Sequence, residues 1–110
     1  MINISVKAVH FHADSKLVAF IEKKLSRLGR LFEREMAAEV HLKLQDNGGR
    51  IQEKIAEIHL HMPGGWLMDK KTGKTFESAL NASVDTLKRQ LVRHKERNSI
   101  HGRGADFGEA

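Results

Sequence analysis

The sequence predicts an α/β domain of the α+β kind. Its order is β-α-β-β-β-α, with a four-stranded mixed sheet and two helices on one face. Three observations lead there. Apolar and polar residues alternate with a period of two in several segments. In two other segments apolar residues recur every three or four positions, the spacing of a helix with one buried face. And 110 residues can bury one core but have no room for a second.

Each element follows in chain order. Ile2, Ile4 and Val6 alternate with polar neighbours, which predicts a half-buried first strand. The parity shifts at Val9 and Phe11, the sign of a bulge or of the strand's end. Asp14 then suits an N-cap. Leu17, Ile21, Leu25, Leu28 and Phe32 supply the apolar stripe of the first helix, which Gly29 is expected to end near Arg30. Ala38, Val40, Leu42 and Leu44 form the inner face of a second strand, with Glu39, His41 and Lys43 outside. Asp46-Asn47-Gly48-Gly49 is a turn. Ala56, Ile58, Leu60 and Met62 form the inner face of a third strand, with Glu57, His59 and His61 outward. Pro63-Gly64-Gly65 turns the chain into a short fourth strand at Trp66-Leu67-Met68, and 70–74 read as a basic loop. Thr75, with Ser78 completing a capping box, starts the second helix, whose stripe is Phe76, Leu80, Val84, Leu87 and Leu91. Residues 98–110 hold three glycines, few apolar residues and no periodicity, so they are expected to be a flexible tail after a domain of residues 1–97. The first two strands should be parallel and the remainder antiparallel hairpins.

Composition removes several classes of function. There is no cysteine, hence no disulfide framework, thiolate metal site or cysteine nucleophile. No apolar run approaches the roughly 20 residues needed to span a bilayer, and Met1 to Lys7 has no secretory h-region. No nucleophile elbow, Walker loop or dinucleotide fingerprint is present. Seven histidines raise a metal question, because His59 and His61 point the same way on a strand with His41 as a possible neighbour. They lack the closely spaced pairs of a zinc site and read as solvated strand residues. Trp66 could stack on a base, but covering the sheet or the hairpin is the plainer role. The open sheet face carries His, Lys and Glu, which excludes an RNA-recognition-motif surface with its paired aromatics.

Charge is the informative feature. The chain carries a net +5, with a pI near 9.7, which favours an anionic partner. Residues 14–34 hold six Lys/Arg against three acids, and residues 86–97 hold five against one, so everything else sums to −2. In the first helix Lys16, Lys23, Arg27, Arg30 and Arg34 fall on one stripe, roughly 140° from the apolar one. In the second, Arg89, Arg93 and Arg97 lie on one flank and Lys88 and Lys95 on the other. Ordinary solvated helix faces mix signs as i, i+4 pairs. A row of cations without acids on two neighbouring helices suits phosphate groups.

Three segments carry a resemblance. Residues 87–96, Leu-Lys-Arg-Gln-Leu-Val-Arg-His-Lys-Glu, look like the closing helix of the ribosome hibernation-promoting factors, the ribosome-associated translation inhibitor family. Residues 21–28 resemble its first helix, and residues 58–64 its strand ending in Pro-Gly. Thr75-Phe76-Glu77 departs from the family's Asp-x-Tyr opening. The resemblance implies a fold similar to double-stranded-RNA-binding modules. It implies a non-enzymatic, cytoplasmic, cofactor-free protein that is monomeric off the ribosome. Such proteins bind the small subunit between head and body, where messenger and transfer RNA would lie, during starvation or stationary phase. Carried over residue by residue, Lys23, Lys24, Arg27 and Arg30, with Lys88, Arg89, Arg93 and Lys95, are then the expected 16S ribosomal-RNA contacts. The chain would be a short form, without the dimerisation domain of long members. The alternatives are a stand-alone module for structured RNA and a small enzyme using the histidine face.

Overall fold

The computed structural model describes residues 2–32, 34–46 and 52–104. Its elements are β1 (Ile2–Ala8), α1 (Ser15–Phe32), β2 (Met36–Asp46), β3 (Gln52–Met62), β4 (Gly65–Gly73) and α2 (Phe76–Gly104). The strands lie side by side in the order β1-β2-β3-β4. β1 runs parallel to β2, while β2–β3 and β3–β4 are antiparallel. This is the expected mixed sheet, and both helices pack on one side of it.

Local chemistry sets the boundaries. The Val9 amide still donates to the Leu42 carbonyl at 2.9 Å. His10 then takes φ +65°, a left-handed conformation that leaves β geometry. So the parity shift at Val9 marks the strand's end. At the start of α1 the Asp14 carboxylate accepts from the Leu17 amide at 2.8 Å, a working N-cap. At the start of α2 the Ser78 amide donates to Thr75 Oγ1 at 3.0 Å, and the Thr75 amide to Ser78 Oγ at 3.4 Å. Serine thus closes the capping box. Pro63 and Gly64, with Gly64 at φ +91°, turn β3 into β4, the combination a type II turn demands.

The core joins the two helix stripes to the inner faces of the strands: Ile21, Leu25, Val40, Leu42, Ile58, Leu60, Leu80, Leu87 and Leu91 are all fully buried. α1 covers β1, and α2 covers β3 and β4.

Four details correct the sequence reading. α1 runs through Gly29 to Phe32. Gly29 is buried there, and a Cβ on it would stand 3.0 Å from Ile2 Cβ and Cγ2, so the glycine lets helix and strand approach rather than ending the helix. β4 extends over residues 70–73, which read as a loop. Its inner positions after Leu67 are Asp69 and Lys71, opposite Ile58 and Ala56. They bond each other at 2.7 Å, so a strand hides behind a charged pair. Leu44, expected inward, is 39 % exposed at the end of β2. Finally, the helical backbone of α2 runs to Gly104, past Arg97 where the stripe stops, because a formed helix propagates at one hydrogen bond per added residue. Residues 105–110 of the expected tail, and the turn at 47–49, lie outside the described residues.

Candidate nucleic-acid interface

α1 and α2 pack side by side on the sheet, each with its apolar stripe inward. Their cations are therefore left on the outer surface of one layer. Between the helices runs a groove of about 420 Å³. Lys24, Arg27 and Arg30 of α1 line one wall, and Lys88 of α2 lines the other. Leu28, Leu31 and Val84 form its apolar floor, and Asp85 is its one acid among the described residues.

Of the eight cations expected from sequence, the groove gathers four. The Lys24 ammonium lies 5.5 Å from the centre of the Phe20 ring, which steadies it at the groove edge. Arg27, Arg30 and Lys88 are exposed and form no hydrogen bond or ion pair among the described residues. Lys23, Arg89 and Arg93 stand outside the groove, exposed on the outer faces of their helices. Arg89 makes one long contact, 3.5 Å, to Thr86 Oγ1.

Lys95 is placed differently from the rest. Its ammonium donates to the Leu31 carbonyl at 3.0 Å, one of the acceptors that the last turn of α1 leaves unpaired. One residue earlier, the His94 ring sits 6.1 Å from the Phe32 ring. The two contacts clasp α2 to the end of α1, so Lys95 holds the groove's walls in place.

The opposite face of the sheet carries the opposite character. Glu57 there accepts from His59 at 2.8 Å and pairs with Lys43 at 3.5 Å. The His59 hydrogen bond, aided by the Lys43 charge, holds the Glu57 carboxyl below the usual glutamate range, with burial opposing the shift. The His41 and His59 rings meet edge to face at 5.6 Å, and His41 approaches Glu39 at 3.5 Å. Among the described residues no three His, Asp or Glu side chains converge as a metal set. Trp66, for which covering the sheet or the turn was the plainer expectation, stands on the open sheet face at the position paired with His61. It is 60 % exposed on this open face, next to Met68 at 44 %.

Sequence reasoning missed the groove itself and Asp85. Their signals were Leu31 beside the first apolar stripe, Val84 within the second, and an acid three residues before Lys88. Neither means anything until the helices are placed side by side.

Comparison with known proteins agrees with this fold. The N-terminal domain of Protein Y from Thermus thermophilus superposes with a TM-score of 0.74 at 28% identity, covering 84% of this chain and 98% of that one. A ribosome hibernation promoting factor of Pseudomonas putida is 26% identical over 102 residues, 93% of this chain and 95% of the relative. One from Salmonella typhimurium is 30% identical over 82 residues, 74% of this chain and 81% of the relative. The family model described as sigma 54 modulation protein / S30EA ribosomal protein matches residues 4–99. With fold and family model in agreement over the same span, the chain belongs to that sigma 54 modulation protein / S30EA ribosomal protein family.

Proposed function

We propose that this protein is a ribosome hibernation factor whose helix layer binds the RNA of the small subunit. The observation that carries the reading is the concentration of cations on that layer, with Arg27, Arg30 and Lys88 in no ion pair among the described residues, in a chain similar to relatives named as hibernation factors. Guanidinium and ammonium groups on a rigid two-helix platform contact phosphates and fix orientation, with most of the affinity coming from released counterions. In this reading the domain fills the channel of messenger and transfer RNA between the head and body of the subunit. It acts in the cytoplasm, under starvation or in stationary phase, and carries out no catalysis. Lys23, Lys24, Arg27, Arg30, Lys88, Arg89 and Arg93 are its phosphate contacts, and Lys95 sets their spacing.

Sucrose-gradient co-sedimentation with purified subunits tests this. The folded protein is expected to travel with the small subunit at low salt, to be released steeply as salt rises, and to compete with initiator transfer RNA. Failure to co-sediment at low salt refutes it.

A further inference from the structure

The interhelical groove is more than a phosphate cradle. Asp85 is exposed in the midst of Arg27, Arg30 and Lys88, yet it forms no ion pair or hydrogen bond among the described residues. A surface built only to attract phosphate gains nothing from an acid there. Below it lie Leu31 and Val84, an apolar floor that phosphate cannot use but the flat face of a base can. The volume, about 420 Å³, falls in the roughly 300–1,000 Å³ range of small-ligand clefts.

We propose that this groove accepts one unstacked guanosine of an RNA strand, with its phosphate on the cations, its base against Leu31 and Val84, and its Watson–Crick edge on Asp85. The choice of base follows from donor and acceptor patterns. An ionised carboxylate only accepts. Guanine presents two adjacent donors on that edge, N1–H and N2–H, which match the two carboxylate oxygens. Adenine and cytosine each set one amino donor beside a ring-nitrogen acceptor, which repels the second oxygen. Uracil sets its single donor between two carbonyls. Unpaired bases read on this edge are the usual targets of sequence-specific RNA binding. Asp85 is thus a specificity residue in an otherwise sequence-blind surface. The inference rests on the helix layer being an RNA-binding surface, but not on the ribosome being the source of that RNA.

The test uses the full chain and four labelled single-stranded RNA decamers, oligo-uridine throughout except for one central G, A, C or U. Fluorescence anisotropy at low salt measures each against the wild type and Asp85→Asn. Circular dichroism confirms that the variant folds, as expected for an exposed helix position. The wild type should bind the G decamer about tenfold tighter than the others. Asp85→Asn should lose that preference while binding the other decamers at least as well, since a negative charge is gone. Equal wild-type binding to all four, no binding to any, or a G preference that survives in the variant overturns the proposal. Ribosome co-sedimentation run alongside separates the two readings. A wild type that co-sediments but shows no base preference leaves the ribosome reading standing and removes this one. A G preference without co-sedimentation does the reverse.

Discussion

Ser83 is wholly buried in the face of α2 that meets the core, and its hydroxyl has no hydrogen-bond partner among the described residues. An unmet buried hydroxyl costs about 1–3 kcal/mol, whereas a methyl group in its place costs nothing of that kind. Ser83→Ala is therefore expected to stabilise the protein by about 1 kcal/mol, read as a higher midpoint in urea unfolding. Glu57 makes a prediction about pH. Its carboxyl titrates lower in the folded chain than its unfolded value of 4.5. Its contribution is then fully present above that value and is lost as pH falls through the depressed folded one. Glu57→Gln should flatten the acid limb of the stability curve, measured by thermal unfolding from pH 6 downward, and leave its slope at neutral pH unchanged.

At the level of elements, what was legible in the sequence was whatever a single element carries alone. The stripes of α1 and α2, the Asp14 cap and the Thr75–Ser78 box need only local spacing. What depended on a neighbouring element was hidden. Gly29 looks like a helix breaker until Ile2 is found 3.0 Å from where its Cβ would be. An exposed Gly-to-Ala change in a helix gains about 1 kcal/mol; here overpacking against β1 should reverse the sign, and Gly29→Ala is expected to destabilise by about 1 kcal/mol or more in chemical denaturation. Asp69 and Lys71 concealed half of β4, because a charged pair on the inner face breaks the apolar alternation. Lys95 read as one more cation of a row, and only the placement of α1 beside it turns it into a clasp on the Leu31 carbonyl. Lys88, about two turns earlier on the same flank, faces the groove. Removing the charge should accordingly weaken ribosome binding less at Lys95 (Lys95→Gln, which keeps a donor) than at Lys88 (Lys88→Gln), with filter binding as the measure.

For the whole molecule, the net +5 of the chain describes one surface. The sheet's open face balances Lys43, the histidines and Lys70 against Glu39 and Glu57, while the helix layer carries cations with Asp85 as the groove's only acid among the described residues. The charge excess on two segments, and their lying on one layer, were both legible in the sequence; which of the cations face the groove between the helices required the fold. The two faces also provide an internal control, because the same change in total charge can be made on either. The most direct measurement is small-subunit affinity, at fixed low salt, for two double charge reversals: Arg27→Glu with Arg89→Glu on the helix layer, and Lys43→Glu with Lys70→Glu on the open sheet face. With phosphate contacts confined to the helices, the first should lose at least about tenfold in affinity and show a shallower salt dependence, and the second should stay near wild type apart from a small uniform loss. Equal losses from the two pairs would contradict the assignment of RNA binding to the helix layer.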